Sequence, residues 1–386
     1  MVSVARKIGV EAYLAAKTSS GSKMAKDWVA VQEFYEKKLW HHLTLKLSAL
    51  VKHEEMQAAG HEEMVGFYQN FLKDFETKIN PLALVEIMES VIPHYPTPEN
   101  ACDVLEGLEK SVKNCTEAVA LLKILRGNIF LMKIKNQLAA KKLIDDIEEA
   151  LDEANEITST HGRYYLLASE YYRQQGKHAE YYSSALKYLG CVDLNEIPLS
   201  EKIQHGYSLS LAALLGKRIY NIGELLVHPI IDYLKETQHE WLIEVLHAFN
   251  SGDIVKFEQL KSKWSIVPDL LAHEVSLRQK IGLLGLMEIA FRHGSNKRDL
   301  SFLEIAEATK LPLNQVELLV MKALAEELVK GSIDQVEGTV HINWVQPRVL
   351  NKQQIISLID VLNEWQNKVR TMETLFEEKG FDILTL

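Results

Sequence analysis

The sequence predicts an all-α protein: a degenerate helical-repeat solenoid, then a winged helix with a small β-ribbon, then a long C-terminal helix. Three observations support this fold class. Apolar residues recur with helical periodicity from residue 27 to residue 264. The periodicity breaks once, at two strand-like segments between residues 329 and 344, as the β-ribbon of a winged helix requires. It returns after residue 351 as a heptad repeat.

Length and composition limit the class of protein. At 386 residues the chain has room for two or three domains, since domains of ~100–200 residues are typical. Three cysteines, Cys102, Cys115 and Cys191, are too few and too far apart for a disulfide framework, which favours a reducing compartment. Charged residues interrupt every apolar stretch before the ~20 residues that a membrane span requires. No membrane partner is therefore expected.

Residues 1–26 are predicted to be a loosely attached N-terminal segment. Its apolar positions give only a weak amphipathic helix, formed by Val4, Ile8, Ala12 and Ala15. Small residues at 18–22 form a hinge before the repeat array begins at residue 27.

Residues 27–264 are predicted to form an array of helix pairs similar to tetratricopeptide repeats. Thr97 and Pro98 give an N-cap followed by proline at the first helical position. The helix from residue 119 to residue 132 is apolar over much of its surface, so we expect it to be buried between neighbours. The pair on either side of Gly176 is the most repeat-like, with small and aromatic residues in both helices. At ~34–47 residues per pair, the array holds about five to seven pairs.

The end of the array is predicted to be a helix, a tight turn and a second helix. Gly252 permits the turn, and Asp253 caps the helix that follows it. Trp241, Phe257 and Trp264 are expected to give this pair a large aromatic core.

Residues 265–350 are predicted to form the winged helix. Its three helices are expected at 278–292, from Ser301 to residue 308, and at 313–327. Two strands follow at 329–333 and 339–344. The third helix carries Glu317, Glu326 and Glu327 against the single Lys322, a net charge of 1 − 3 = −2, and the whole chain has a net charge of −10. Since a DNA-reading helix needs cations against phosphates, the sequence favours a protein-docking block over a nucleic-acid reader.

Residues 351–386 are predicted to form a C-terminal bundle helix. Two heptad positions are apolar throughout, the first occupied by Ile355, Leu362, Val369 and Phe376, and the second by Leu358, Trp365 and Met372. A strict heptad stripe is narrower than a globular face needs, which favours a seam with partner helices. The alternative is that the helix folds back onto its own winged helix.

The edge of the wing is a second candidate interface. Its last strand, with Val340, Ile342 and Trp344, is expected to accept a strand from a neighbour by β-augmentation. The alternative is an ordinary exposed edge.

No motif predicts catalysis, a cofactor or a metal. His53 and His61 each begin a sequence similar to a zinc-protease motif, but Gln57 and Val65 occupy the positions of the second histidine. Gly206-Tyr207-Ser208-Leu209-Ser210 has serine in place of the second glycine of a nucleophile elbow. Gly216-Lys217-Arg218 lacks the upstream glycine of a phosphate-binding loop.

Helix pairs that end in Phe249-Asn250-Ser251-Gly252-Asp253 and lead into a winged helix resemble the PCI domain found in scaffold subunits of the proteasome lid, the signalosome and a translation initiation factor complex. From about residue 31 onward, the chain is similar to the subunit-thirteen family of proteasome non-ATPase regulatory subunits. The segments that carry this closer resemblance are 37–41, 80–82, 189–193, 223–226, 316–324, 330–334 and 344–350. Residues 1–30 and 53–63 differ from the family.

The resemblance implies a non-catalytic scaffold subunit of the proteasome regulatory particle lid, working in ubiquitin-dependent protein degradation in the cytoplasm and nucleus. It also implies a hetero-oligomer in which other lid subunits with PCI domains contact the winged helix and the C-terminal helix, without nucleic acid. The isopeptidase signature of a metalloprotease-type deubiquitinase is missing from the sequence. Two alternatives stay open: a scaffold subunit of a related PCI complex, such as the signalosome or the initiation factor complex, and a winged-helix nucleic-acid-binding protein.

Overall fold

The structure is a computed structural model that describes residues 9–18, 25–51, 53, 56, 60–152, 157–293, 299–350 and 352–384. The chain divides into two compact units, Met1–Asp193 and Leu194–Leu386. Helices make up the described part of the first unit. Their bounds are α1 (Val10–Thr18), α2 (Ala25–Glu36), α3 (Trp40–Val51), α4 (His61–Asn70), α5 (Pro81–Val91), α6 (Pro98–Val112), α7 (Thr116–Ile129), α8 (Gln137–Asp152), α9 (Ser159–Gln174) and α10 (His178–Cys191).

Local capping sets several of these boundaries. The Asn80 side chain accepts a hydrogen bond from the backbone N–H of Leu82 at 3.0 Å, and Pro81 occupies the first turn of α5. Thr97 caps α6 in the same way, ahead of Pro98. Because proline has no N–H to leave unsatisfied at these positions, both starts are favourable. The helix start predicted at Thr97-Pro98 is confirmed.

The core of the first unit continues into its N-terminal helix. Tyr13 and Leu14 of α1 are buried, and the Tyr13 ring lies 6.1 Å from Trp28 and 6.3 Å from Phe71. The prediction of a loosely attached segment is therefore wrong for residues 10–18, because their burial depends on an aromatic cluster elsewhere in the chain. The hinge expected at 18–22 lies mostly outside the described residues.

Helix α7 is buried along most of its length, as its apolar composition predicts. After Ile129 the chain continues through a π-helical turn, Phe130–Ile134, and then enters α8. Helices α9 and α10 form the pair predicted on either side of Gly176, which has φ of 68°. Tyr164, Ala168, Tyr181 and Ala185 are buried in this pair, which accounts for its repeat-like composition.

The second unit begins with a helical part and ends in a winged helix. The helices of the helical part are α11 (Leu199–Leu215), α12 (Ile222–Val227), α13 (Glu240–Ser251), α14 (Ile254–Gln259), α15 (Lys261–Trp264) and α16 (Pro268–Ala272). The winged helix consists of α17 (Glu274–Arg292), β1 (Asp299–Ser301), α18 (Phe302–Thr309), α19 (Leu313–Ala325), β2 (Val329–Asp334) and β3 (Thr339–Val345). A final helix, α20, covers Lys352–Leu384. No described helix is long and apolar enough to cross a membrane.

The predicted turn between α13 and α14 is confirmed. Gly252 adopts a left-handed conformation with φ of 67°, and the Asp253 side chain accepts from the backbone N–H of Lys256 at 3.1 Å. The Phe257 ring stacks on Trp264 at 4.9 Å. Trp241 is only partly buried, so it contributes less to the aromatic core than predicted.

The strands of the winged helix form an antiparallel sheet in the order β1-β3-β2. Strands β2 and β3 were predicted. Strand β1 was not, because three residues with one buried leucine are too few to show the alternation of apolar and polar residues that indicates a strand. Strand β1 pairs with residues 339–341 of β3. The prediction that β3 is a free edge is therefore wrong at Val340, since β3 is the central strand there.

Candidate partner-binding surfaces

The segment between β3 and α20 is fixed against the helical part of the second unit. The backbone N–H of Val349 donates to the Asn221 side chain at 3.1 Å, and Arg348 donates to the carbonyl of Asn250 at 3.2 Å. A Cβ added at Gly223 would lie 2.9 Å from the carbonyl oxygen of Val349, so only glycine permits this approach. Three of the segments that carry the family resemblance, around residues 223, 250 and 349, are therefore in contact.

A buried ion pair completes this attachment. The Arg348 guanidinium contacts the Glu288 carboxylate of α17, and their side chains are only 5% and 9% exposed. Glu288 also accepts from Arg292 at 3.0 Å and from Gln354, in the first turn of α20, at 3.3 Å. Burial lowers the pKa of Arg348 from its usual value. The base of α20 is therefore connected to the first helix of the winged helix.

Beyond this base, α20 projects with its apolar residues uncovered. It has 33 residues, which at 1.5 Å per residue gives a length of about 50 Å. The residues of the predicted seam, which we call the apolar stripe, are between 44% and 71% exposed: Ile355, Leu358, Leu362, Trp365, Val369, Met372 and Phe376. In the described part of the chain, α20 does not fold back to bury this stripe.

The first half of α20 exposes more apolar surface than the heptad predicted. Ile356, Ile359 and Val361 are also exposed, and they lie outside the stripe. The sequence carried a signal for them in the adjacent apolar pairs at 355–356, 358–359 and 361–362. At 100° per residue these positions widen the apolar arc to more than half of the helix circumference. A single partner helix covers a narrower arc than this.

The wing contributes less exposed surface than predicted. Val340 and Ile342 are buried, because alternate residues of β3 face the winged-helix core. These two side chains are therefore unavailable to a partner, which corrects the prediction for both. Trp344 remains accessible at 37% exposure, with Lys330 Nζ 5.0 Å from its ring centroid.

Helix α19 has an apolar inner face and a mixed outer face. The predicted core positions Val316, Leu319, Val320 and Ala323 are all buried. On the outer face, Leu318 and Met321 are exposed beside Lys322. This apolar and weakly charged surface has little to offer a phosphate backbone.

The motifs considered for catalysis do not form sites in the described residues. His53 is exposed, and Gln57 lies outside the described residues. The rings of His61 and His94 lie side by side, with their Nδ1 atoms 3.3 Å apart, but within the described ranges no group of three or more His, Cys, Asp or Glu side chains could hold a metal ion. Ser210 is buried inside α11 and donates to the carbonyl of Gly206 at 2.7 Å, as an ordinary helical serine does.

Comparison with known proteins agrees with this architecture. The family described as PSD13 N-terminal repeats matches residues 27–246, and the PCI domain family matches residues 255–344. The 26S proteasome non-ATPase regulatory subunit 13 homolog B of Arabidopsis thaliana is 37% identical, covering 96% of this chain and 98% of the relative. Homolog A of the same plant is 36% identical over 96% and 98% of the two chains.

A third relative comes from a distant organism. The 26S proteasome non-ATPase regulatory subunit 13 of Dictyostelium discoideum is 36% identical over 92% of this chain and 93% of its own length. The repeat match, the PCI match and these near-complete alignments agree with the helix pairs, the winged helix and the C-terminal helix described above. The chain belongs to the family of 26S proteasome non-ATPase regulatory subunit 13.

Proposed function

We propose that this protein is a non-catalytic scaffold subunit of the proteasome regulatory particle lid, acting in ubiquitin-dependent protein degradation in the cytoplasm and nucleus. The observation that carries the proposal is the apolar stripe on α20, which is exposed although the base of the helix is held by the buried Arg348–Glu288 pair. A soluble chain keeps such a surface when a partner covers it.

The stripe is large enough to support stable association. Burial of a large apolar side chain contributes about 1.5–3 kcal/mol, and the stripe has seven of them. Part of this free energy is offset by the loss of translational, rotational and side-chain freedom on binding. The remainder favours a bundle with helices of neighbouring PCI subunits, with Trp344 and the outer face of α19 as further contact surface.

The names of the relatives support the proteasome over the related PCI complexes. Their names place them in the 26S proteasome, and the family that matches residues 27–246 is described as PSD13 N-terminal repeats. The acidic third helix and the net charge of −10 disfavour the alternative of a nucleic-acid reader.

Native affinity purification of the tagged chain, followed by mass spectrometry, tests the proposal. We expect the other subunits of the regulatory particle to be recovered at equal stoichiometry. Recovery of the chain alone, or with nucleic acid, would contradict the scaffold function.

A variant in the apolar stripe tests whether this surface is responsible for assembly into the complex. Replacing Leu362, Trp365 and Val369 with serine should abolish co-purification of the complex. The matched control replaces Asp360, Glu364 and Asn367 with serine on the opposite face of the same helix, and it should assemble normally. Equal loss with both variants would indicate that the helix, and not the stripe, is required.

A further inference from the structure

A cleft in the second unit collects cationic side chains on this otherwise acidic chain. Its cavity has a volume of about 370 Å³ and lies between the turn after α11, helix α17 and helix α19. We call it the basic cleft, and its cationic residues are Lys217, Arg218, Lys280 and Lys322. Glu326 is the one carboxylate residue in its lining. The segment Gly216-Lys217-Arg218, which lacks the upstream glycine of a phosphate-binding loop, forms one rim.

The side chain of Lys280 stabilises this rim by hydrogen bonds to its backbone. Its Nζ donates to the carbonyl oxygens of Ala213, Leu214 and Gly216 at 2.6, 3.2 and 2.9 Å. These carbonyls lie at the C-terminal end of α11, where no intrahelical donor is available to them. The Lys280 amine therefore fixes the turn that presents Lys217 and Arg218.

The turn keeps Arg218 in a conformation that is unusual for a residue with a side chain. Its φ is 62°, in the left-handed region. The Arg218 side chain is 86% exposed and contacts Glu326 at 3.5 Å. Because the arginine end of this pair is open to solvent, a second carboxylate can approach Arg218.

The opposite rim carries a cation with a neutral partner. Lys322 Nζ donates to the amide oxygen of Gln279 at 2.7 Å, which positions the ammonium and leaves its charge uncompensated by that contact. Between the two rims, Leu214, Leu277 and Leu283 are buried in the protein core, so the accessible lining of the cleft comes mainly from its polar and charged side chains. The exposed Val275 lies one helical turn before Gln279 on the same face of α17.

We propose that the basic cleft binds an acidic peptide segment of a neighbouring subunit, with an Asp or Glu carboxylate between Lys217 and Lys322. The proposal rests on the scaffold function, since it needs a neighbour. The net charge of −10 on the chain favours a short acidic segment over a long polyphosphate or nucleic acid, which would extend beyond the cleft onto acidic surface. The carboxylates Glu317 and Glu327, close by in sequence, also disfavour a long polyanion.

Carbodiimide cross-linking of the assembled complex tests this inference, because the reagent joins an amine to a carboxylate only when the two are in contact. We expect Lys217 and Lys322 to be joined to an Asp or Glu of another chain, whereas Lys310, also on the winged helix, serves as the control amine. If the assembled complex joins these lysines only to Glu326 of the same chain, the inference is overturned while the scaffold function stands.

A binding measurement on the free full-length chain tests the cleft independently of assembly. The probe is a short labelled peptide of glutamate residues, and its binding is measured by fluorescence anisotropy. Replacing Lys217, Arg218 and Lys322 with glutamate should weaken binding by about tenfold or more, whereas Lys310→Glu with Lys330→Glu should change it little. Equal weakening by both variants, or selective binding of a single-stranded RNA probe through the cleft, would overturn the peptide assignment.

Discussion

Arg348 and Glu288 form a buried ion pair that joins the segment before the C-terminal helix to the first helix of the winged helix. Gln354 donates to the same carboxylate from the first turn of α20. The projecting helix therefore has a fixed starting direction, although residues 355–379 are exposed.

Removal of the arginine alone should destabilise the second unit. Arg348→Met leaves the Glu288 carboxylate in a buried site with fewer partners, and we expect a loss of about 3 kcal/mol in the free energy of unfolding. Urea denaturation followed by circular dichroism measures this loss. The double variant with Glu288→Gln should recover part of it, and Arg370→Met on the exposed part of α20 should have little effect. A single variant as stable as the wild type would mean that the pair does not fix the helix.

The apolar stripe should contribute nothing to the stability of the isolated chain. Because Leu362, Trp365 and Val369 are half-exposed or more, their replacement with serine should shift the free energy of unfolding by less than about 0.5 kcal/mol. The measurement is the denaturation midpoint of the free protein, made beside the co-purification described above. A large loss of stability would indicate that α20 packs on its own chain.

Replacing two glycines with alanine, one at a time, should change the free energy of unfolding in opposite directions. At Gly252, φ is 67° and an added Cβ would lie 2.3 Å from the Cα of Gly285. Gly252→Ala should therefore lower the free energy of unfolding by about 2 kcal/mol or more. At Gly107, inside α6, an added Cβ meets nothing within 4 Å, so Gly107→Ala should raise it by about 0.5–1 kcal/mol. Similar effects at both positions would contradict the close approach of α13 and α17.

The buried Lys280 should make stability depend on pH. Burial lowers the pKa of its ammonium group to about 7, against ~10.4 for an unperturbed lysine. Between these values the unfolded chain binds more protons than the folded chain, so the free energy of unfolding rises with pH. From pH 6 to pH 9, deprotonation of Lys280 should increase the free energy of unfolding by about 2–3 kcal/mol. Urea denaturation gives the free energy of unfolding of the wild type and of Lys280→Met across this range. We expect the wild-type value to rise with pH relative to that of the variant. A difference that does not change with pH would exclude the lowered pKa of Lys280.

Features set by neighbouring residues could be predicted from the sequence. The cap at Thr97, the turn at Gly252 and the buried face of α19 depend on residues a few positions apart, and each lies where the sequence indicates. The apolar stripe is predictable for the same reason, since the heptad is a local period. Its wider arc in the first half of α20 was missed because Ile356 and Ile359 fall outside that period.

Features that depend on distant parts of the chain could not be predicted. Strand β1 exists because residues 299–301 pair with residues 339–341, and this pairing also decides that β3 is central. Leu14 is buried by an aromatic cluster from later helices, which the weak amphipathic pattern of residues 1–16 does not indicate. The basic cleft brings together residues 217, 280 and 322, and no local pattern connects these positions.

The exposed stripe on α20 also affects how the protein behaves before it finds its neighbours. An uncovered apolar surface of this length promotes non-specific association in water. We therefore expect a newly made chain to be less soluble before it binds its partners than after a partner helix covers the stripe. Co-expression with a partner that supplies such a helix should consequently raise the soluble yield, and the supply of that partner sets how much free chain a cell can tolerate.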